Sequence, residues 1–212
     1  MSVPHRSSGA GRPPAASPAL LQEAALELFT ENGYAGTSVE HITTRAGVSR
    51  NTFFNYFASK SDVFWLEVDA ALPTLVDALA VAPADARPCD AVVTAVCAFA
   101  AEFGPDAVPF VLTQHELIGS VAEVTASAVS RLAAHAELIR VFLVGRGMPE
   151  HTAMTAGFAC AGATVAAALA WAGAGAQRGS AESYVRDSLR PVMAGFIHDG
   201  AAAAEPASSR TA

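Results

Sequence analysis

The sequence predicts an all-α protein: an N-terminal group of three short helices containing a helix-turn-helix, followed by a larger helical domain. Three observations carry this expectation. The 212 residues are 52% hydrophobic, rich in Ala and without an alternating strand pattern, which favours helices throughout. The stretch TSVEHITTRAGVSRNTFFNYFASK, Thr37 to Lys60, reads as two short helices joined by a Gly-containing turn. Beyond it, Gly- and Pro-marked breaks near residues 81–88, 104–105, 145–149 and 173–179 cut an apolar sequence into helix-length pieces.

Residues 1–17 are rich in Pro, Ser and Gly and are expected to stay disordered, with Arg6 and Arg12 available as an arm along DNA phosphates or the minor groove. The first helix should run from Pro18, capped by Ser17, to Asn32-Gly33. Leu21, Ala24, Ala25, Leu28 and Phe29 make its inward face. Thr37 and Ser38 can both cap the second helix, whose apolar stripe is Val39, Ile42 and Ala46. Gly47 suits a left-handed end to that helix, Val48 plugs the turn, and Ser49 caps the third helix. Phe53, Phe54 and Phe57 are expected to form the buried side of this third helix. Arg50, Asn51 and Thr52 then face outward from its first turn, the arrangement of a recognition helix in a major groove.

A longer helix should follow from Ser59 to about Leu79, kinked or split at Pro73. Further helices are expected at Asp90–Phe103, Asp106–Ile118, Val121–Val144, Pro149–Ala174 and Ala181–Ile197. Residues 201–212 read as a disordered tail. The resulting division is 1–17 arm, 18–62 helix-turn-helix domain, 63–200 helical domain and 201–212 tail.

Charge bears on partners. The net charge of −7 argues against a nucleic-acid partner for the chain as a whole, but the acid is unevenly placed. Residues 1–60 hold five basic and four acidic side chains, while 61–212 hold eight and sixteen. Between His41 and Lys60 there are Arg45, Arg50 and Lys60 and no acid, so the head is locally positive. Cys89, Cys97 and Cys160 have no metal-ligand spacing and are expected in the core. No nucleophile elbow, phosphate loop or metal motif occurs, so neither an enzyme nor a cofactor is expected. The N-terminus lacks a signal-like apolar region, and Ala153 to Ala176 reads as a tightly packed helix rather than a membrane span. The expected location is the cytoplasm.

The segment TSVEHITTRAGVSRNTFFNYFASKSDVF, with EAALELFTENGYAGTS before it, resembles the DNA-binding segment of the TetR family of bacterial repressors. The likeness covers roughly Leu20 to Leu66. Two positions depart from it: Asn51 stands where a small residue is usual, and Phe54 where Tyr often supplies a phosphate-binding hydroxyl. The resemblance implies a ligand-responsive dimer that binds double-stranded operator DNA. It also implies that the last two long helices pair with their copies and that the middle helices hold an unidentified small-molecule effector. A ligand-free constitutive regulator, or a helical binding protein with a vestigial head, are the alternative readings.

Candidate base-reading residues are Arg50 and Asn51, since Arg can bridge guanine and Asn adenine. Thr37, Thr52, Tyr56 and Lys60 are candidates for phosphates, and Ser38 and Asn55 complete the DNA-facing set. Lys60, the only lysine, is poorly placed for a structural task, because a cation at a helix's positive end is mildly unfavourable. Its replacement by Ala is therefore expected to leave the fold as stable or slightly more so. Candidate effector contacts are Phe99, Phe103, Phe110, His115, Glu116, His135 and Phe142.

Overall fold

A computed structural model describes residues 17–114 and 120–196, which are helical with no strand among them. His115, Glu116, the arm with Arg6 and Arg12, and the tail 201–212 lie outside the described residues. The chain divides into two compact units, Met1–Leu66 and Glu67–Ala212.

In the first unit, α1 spans Pro18–Gly36. Ser17 Oγ accepts a 3.2 Å bond from the Leu20 N–H. Gly33 interrupts the helix with φ 72°, so the regular part ends at the expected Asn32-Gly33 step and one short turn follows. Helix α2 is Val39–Ala46 and α3 is Arg50–Phe54. Lys60–Trp65 forms a 3-10 segment. Two aromatic groups fill this unit. Phe29 stacks on Phe64 at 5.2 Å with Tyr34 tilted against both, and Phe53 meets Phe57 at 5.3 Å. Gln22 ties α1 to the 3-10 segment, its Nε2 donating to the Val63 carbonyl at 2.8 Å. Phe54 corrects the expectation of three buried rings: it is 45% exposed, because α3 turns Phe53 inward, Phe57 just beyond the helix packs on Phe53, and Phe54 projects about 100° away from Phe53.

The helix expected from Ser59 is also different. Ser59 is its cap and the next six residues, Lys60–Trp65, are the 3-10 segment, opened by a capping box in which the Ser59 N–H donates to Asp62 Oδ2 at 2.8 Å. Helix α4, Leu66–Ala80, then runs through Pro73 without a break. Pro73 lies on the exposed side, where solvent can satisfy the carbonyl that loses its partner.

In the second unit α5 is Pro88–Ala101, α6 Phe110–Thr113, α7 Ala122–Gly145, α8 Glu150–Gly173 and α9 Ala181–Ala194. The helix expected at 106–118 is reduced, within the described part, to the four residues of α6. Helix α8 packs against both α7 and α9, and α9 also packs on α5. The core joins Leu75 and Leu79 of α4, Val92 and Val96 of α5, Ile139 and Leu143 of α7, Cys160 of α8 and Leu189 of α9. Small side chains set the closest approach. A Cβ added at Gly157 would stand 2.5 Å from the Ala136 carbonyl oxygen, so α7 and α8 approach backbone to backbone there. Arg146 closes the loop after α4, donating to the carbonyls of Ala82 at 2.7 Å and Pro83 at 2.9 Å while lying over the Phe142 ring. All three cysteines are buried and free. Burial pushes the Cys160 thiol up to about 12.

Candidate nucleic-acid interface and effector cluster

The turn between α2 and α3 is built by the backbone. Gly47 adopts φ 67°, and the Val48 N–H donates to the Thr43 carbonyl at 2.9 Å. Ser49 then caps α3, its Oγ accepting from the Thr52 N–H at 3.1 Å. This places Arg50 and Asn51 in an exposed first turn, with Asn55 and Tyr56 exposed one turn later. The Arg50 guanidinium lies 5.5 Å from the centre of the Phe54 ring, so the exposed phenyl supports the arginine stem where a hydroxyl is missing. Thr52 is half-buried, its hydroxyl 2.8 Å from Ser49 Oγ.

Two of the expected phosphate contacts are placed otherwise. Thr37 is only 2% exposed, and its hydroxyl donates within the unit to the carbonyls of Leu28 and Gly33, at 3.1 and 2.9 Å. Its side chain therefore locks the end of α1 and cannot reach solvent. Lys60 is no misplaced cation. Its Nζ donates to the carbonyls of Tyr34 and Thr37, each at 2.7 Å, and stands 3.9 Å from the Tyr34 ring centre. The α1–α2 link turns carbonyl oxygens inward, and the ammonium satisfies them. These bonds outweigh the unfavourable helix-end charge on which the opposite expectation rested.

The helix-2 cap belongs to Ser38 alone. Its Oγ accepts from the His41 N–H at 3.1 Å, and His41 Nδ1 accepts from the Ser38 N–H at 3.4 Å. The sequence signature of such a box is Glu or Gln at the third helical position, so His41 escapes a reading that looks for it. Arg45 is exposed but is not the unpaired cation that a charge count suggests. It binds Glu31 at 2.6 Å and Glu27 at 2.9 Å, fastening α2 to α1. The same hydrogen bond holds the Glu31 carboxyl below its ordinary range.

Of the expected effector contacts, three come together. Phe99 meets Phe103 edge-on at 5.3 Å and His135 at 5.7 Å. Burial lowers the His135 pKa, which favours the neutral imidazole. One turn away, Arg131 grips Asp69 of α4 through two bonds of 2.8 and 2.7 Å. Phe142 lies under Arg146 at 4.9 Å, engaged in the loop closure. Phe110 is half-buried at the start of α6.

A capped helix, a left-handed glycine turn and a second capped helix with exposed polar residues define a helix-turn-helix DNA-binding regulator. Residues 21–64 match the family of bacterial regulatory proteins described as tetR, and residues 86–197 match the MftR C-terminal domain. The chain belongs to the TetR family of transcriptional regulators. Over 73 residues it is 36% identical to MftR of Mycobacterium tuberculosis, a regulator named for mycofactocin biosynthesis, covering 34% of this chain and 36% of that one. Over 72 residues it is 42% identical to the HTH-type transcriptional regulator TcmR of Streptomyces glaucescens, covering 34% and 31%. These matches span about a third of each curated relative. The fold is shared with Thermus thermophilus FadR, a TetR-family repressor solved with lauroyl-CoA. The TM-score is 0.58 at 23% identity, covering 90% of this chain and all of that one.

Proposed function

We propose that the protein is a dimeric repressor that leaves its operator when a small molecule binds the helical domain, and that it acts in the cytoplasm. The working division is a reading head over 18–62 and an effector and dimerisation domain over 63–200. The observation that carries the reading is the exposed first turn of α3, where Arg50 and Asn51 stand on a helix fixed by Gly47 and Ser49. Arg50 and Asn51 read bases. Thr52, Asn55, Tyr56 and Ser38 hold the phosphate backbone. One such head offers few base contacts, and a two-fold dimer doubles them. A surface suited to a second copy is present. Met154, Phe158, Val165 and Leu169 form an exposed apolar row along α8, at spacings of four, seven and four, with Gly162 between them. Phe99, Phe103 and His135 support an effector with an apolar body. A ligand preferring one arrangement of the two heads would shift the dimer away from DNA.

The test is selection of DNA fragments from a random pool by the purified protein, with Arg50→Ala and Phe158→Glu alongside. The native protein should retain a two-fold symmetric site. Arg50→Ala should lose preference at one position of each half-site, a discrimination of ~1–3 kcal/mol. Phe158→Glu should sediment as a monomer and bind weakly. A native protein that retains no common sequence would overturn the proposal. A thermal-shift screen that includes fatty acyl-CoAs then tests the effector, since a ligand selective for the native state raises the melting temperature.

A further inference from the structure

The two partners of the Arg131–Asp69 pair are held unequally. Arg131 of α7 is fixed from two sides. Its Nε and Nη2 donate to Asp69 at 2.8 and 2.7 Å, while Nη1 donates to the Ser127 hydroxyl at 2.5 Å, one turn earlier on the same helix. The arginine side chain is 20% exposed and that of Asp69 46%. The guanidinium therefore keeps its place without Asp69. The carboxylate can turn into water at little cost, since exposed ion pairs contribute little net stability. Helix α4, which carries Asp69, is itself lightly held. Among the described residues, α7 on α8, α8 on α9 and α9 on α5 each make more extensive backbone approaches than α4 makes with any helix.

Arg131 also borders the aromatic cluster. His135 follows four residues later on the same face of α7, its ring meets Phe99, and Phe99 meets Phe103. The imidazole lies close enough to feel both charges, Asp69 raising its pKa and Arg131 lowering it. An apolar surface thus ends at a guanidinium, whose planar fork is complementary to any carboxylate. A ligand carboxylate would present the same two oxygens to that fork as Asp69 does. Its advantage over Asp69 is an apolar body that leaves water on binding. We propose that Arg131 binds the head of an acidic effector, an apolar molecule ending in a carboxylate, and that this carboxylate displaces Asp69. This rests on the reading of residues 63–200 as an effector-binding domain.

Three forms of the full-length protein are compared: native, Asp69→Asn and Arg131→Gln. The probes are dodecanoate and naphthoate, each beside its matched alcohol, dodecanol and naphthylmethanol. Calorimetric titration reports binding, and melting curves report the fold. The native protein should bind at least one acid about tenfold more tightly than its alcohol, the scale of a hydrogen bond to a charged group. Asp69→Asn removes the competing charge and should bind that acid about tenfold more tightly still. Arg131→Gln should bind acid and alcohol alike. A pair that only braces the helices would lower both melting temperatures and leave the acid-to-alcohol ratio unchanged, which overturns the proposal. So does a native protein that binds neither acid, or binds acid and alcohol equally. Should Arg131→Gln not fold, the gain in Asp69→Asn decides alone. Release of a selected DNA fragment is then measured with the bound acid. An acid that binds through Arg131 yet leaves the DNA bound refutes release by an effector and leaves the site standing.

Discussion

The two units of this chain achieve close packing by opposite means. The reading head is held by side chains that each make a named bond: Lys60 on two carbonyls, Thr37 on two more, Arg45 on two carboxylates, and Phe29 on Phe64. The helical domain is held largely by side chains that are small or missing, as at Gly157 against Ala136 and along the Ala-rich inner face of α8. A polar bond fixes one geometry, whereas a smooth apolar contact tolerates sliding within its volume. Under the proposed function, a unit that presents donors to a DNA backbone would be served by the first method, and one that responds to a ligand by the second.

The largest effect that would break this comparison lies in the helical domain. Gly157→Ala forces a methyl into the Ala136 carbonyl, so α7 and α8 must separate. A loss of ~2–3 kcal/mol is expected, at the upper end for overpacking, read as a fall in the denaturant midpoint. An unchanged midpoint would mean that the contact is loose. Lys60→Ala should cost about 1–2 kcal/mol by leaving two inward carbonyls without their cation. Lys60→Met keeps the apolar stem, and its difference from Ala separates packing over Tyr34 from the hydrogen bonds. A Lys60→Ala protein as stable as native would return that residue to the DNA-facing set.

The smallest effect is in pH dependence. Burial lowers the His135 pKa in the folded state, so the unfolded chain binds the proton more readily. Stability from this group is full above the unfolded value of about 6.5 and falls as pH drops from there towards the folded value. His135→Gln should flatten that part of the curve. A native protein whose melting temperature is the same at pH 7.5 and pH 5.5 as in the variant would show that the ring is solvated.

What the sequence made legible follows this division. Gly47, Ser49 and Ser17 act locally, through a left-handed turn or a cap, and local chemistry is visible in spacing. Thr37 and Lys60 act across 9 to 26 residues, on carbonyls turned inward by the bend at Gly33, and no periodicity records which way a carbonyl points. In the sequence Phe54 reads with Phe53 and Phe57 because aromatics usually turn inward, although a five-residue helix has room for only one buried face. In the helical domain the order and approximate bounds of α5, α7, α8 and α9 were readable from Gly and Pro breaks. The meeting of Phe99 and Phe103 with His135 joins residues more than thirty positions apart, which no local pattern records.

The buried cysteines have a practical consequence. Cys89, Cys97 and Cys160 are the chain's whole thiol content; all three are enclosed, and burial raises their pKa values. A thiol that is both shielded and protonated reacts slowly with maleimides. A single cysteine introduced at an exposed serine such as Ser183 would then take a fluorophore selectively in the otherwise native chain, without first removing the natural three. The protein comes ready for site-directed spectroscopy.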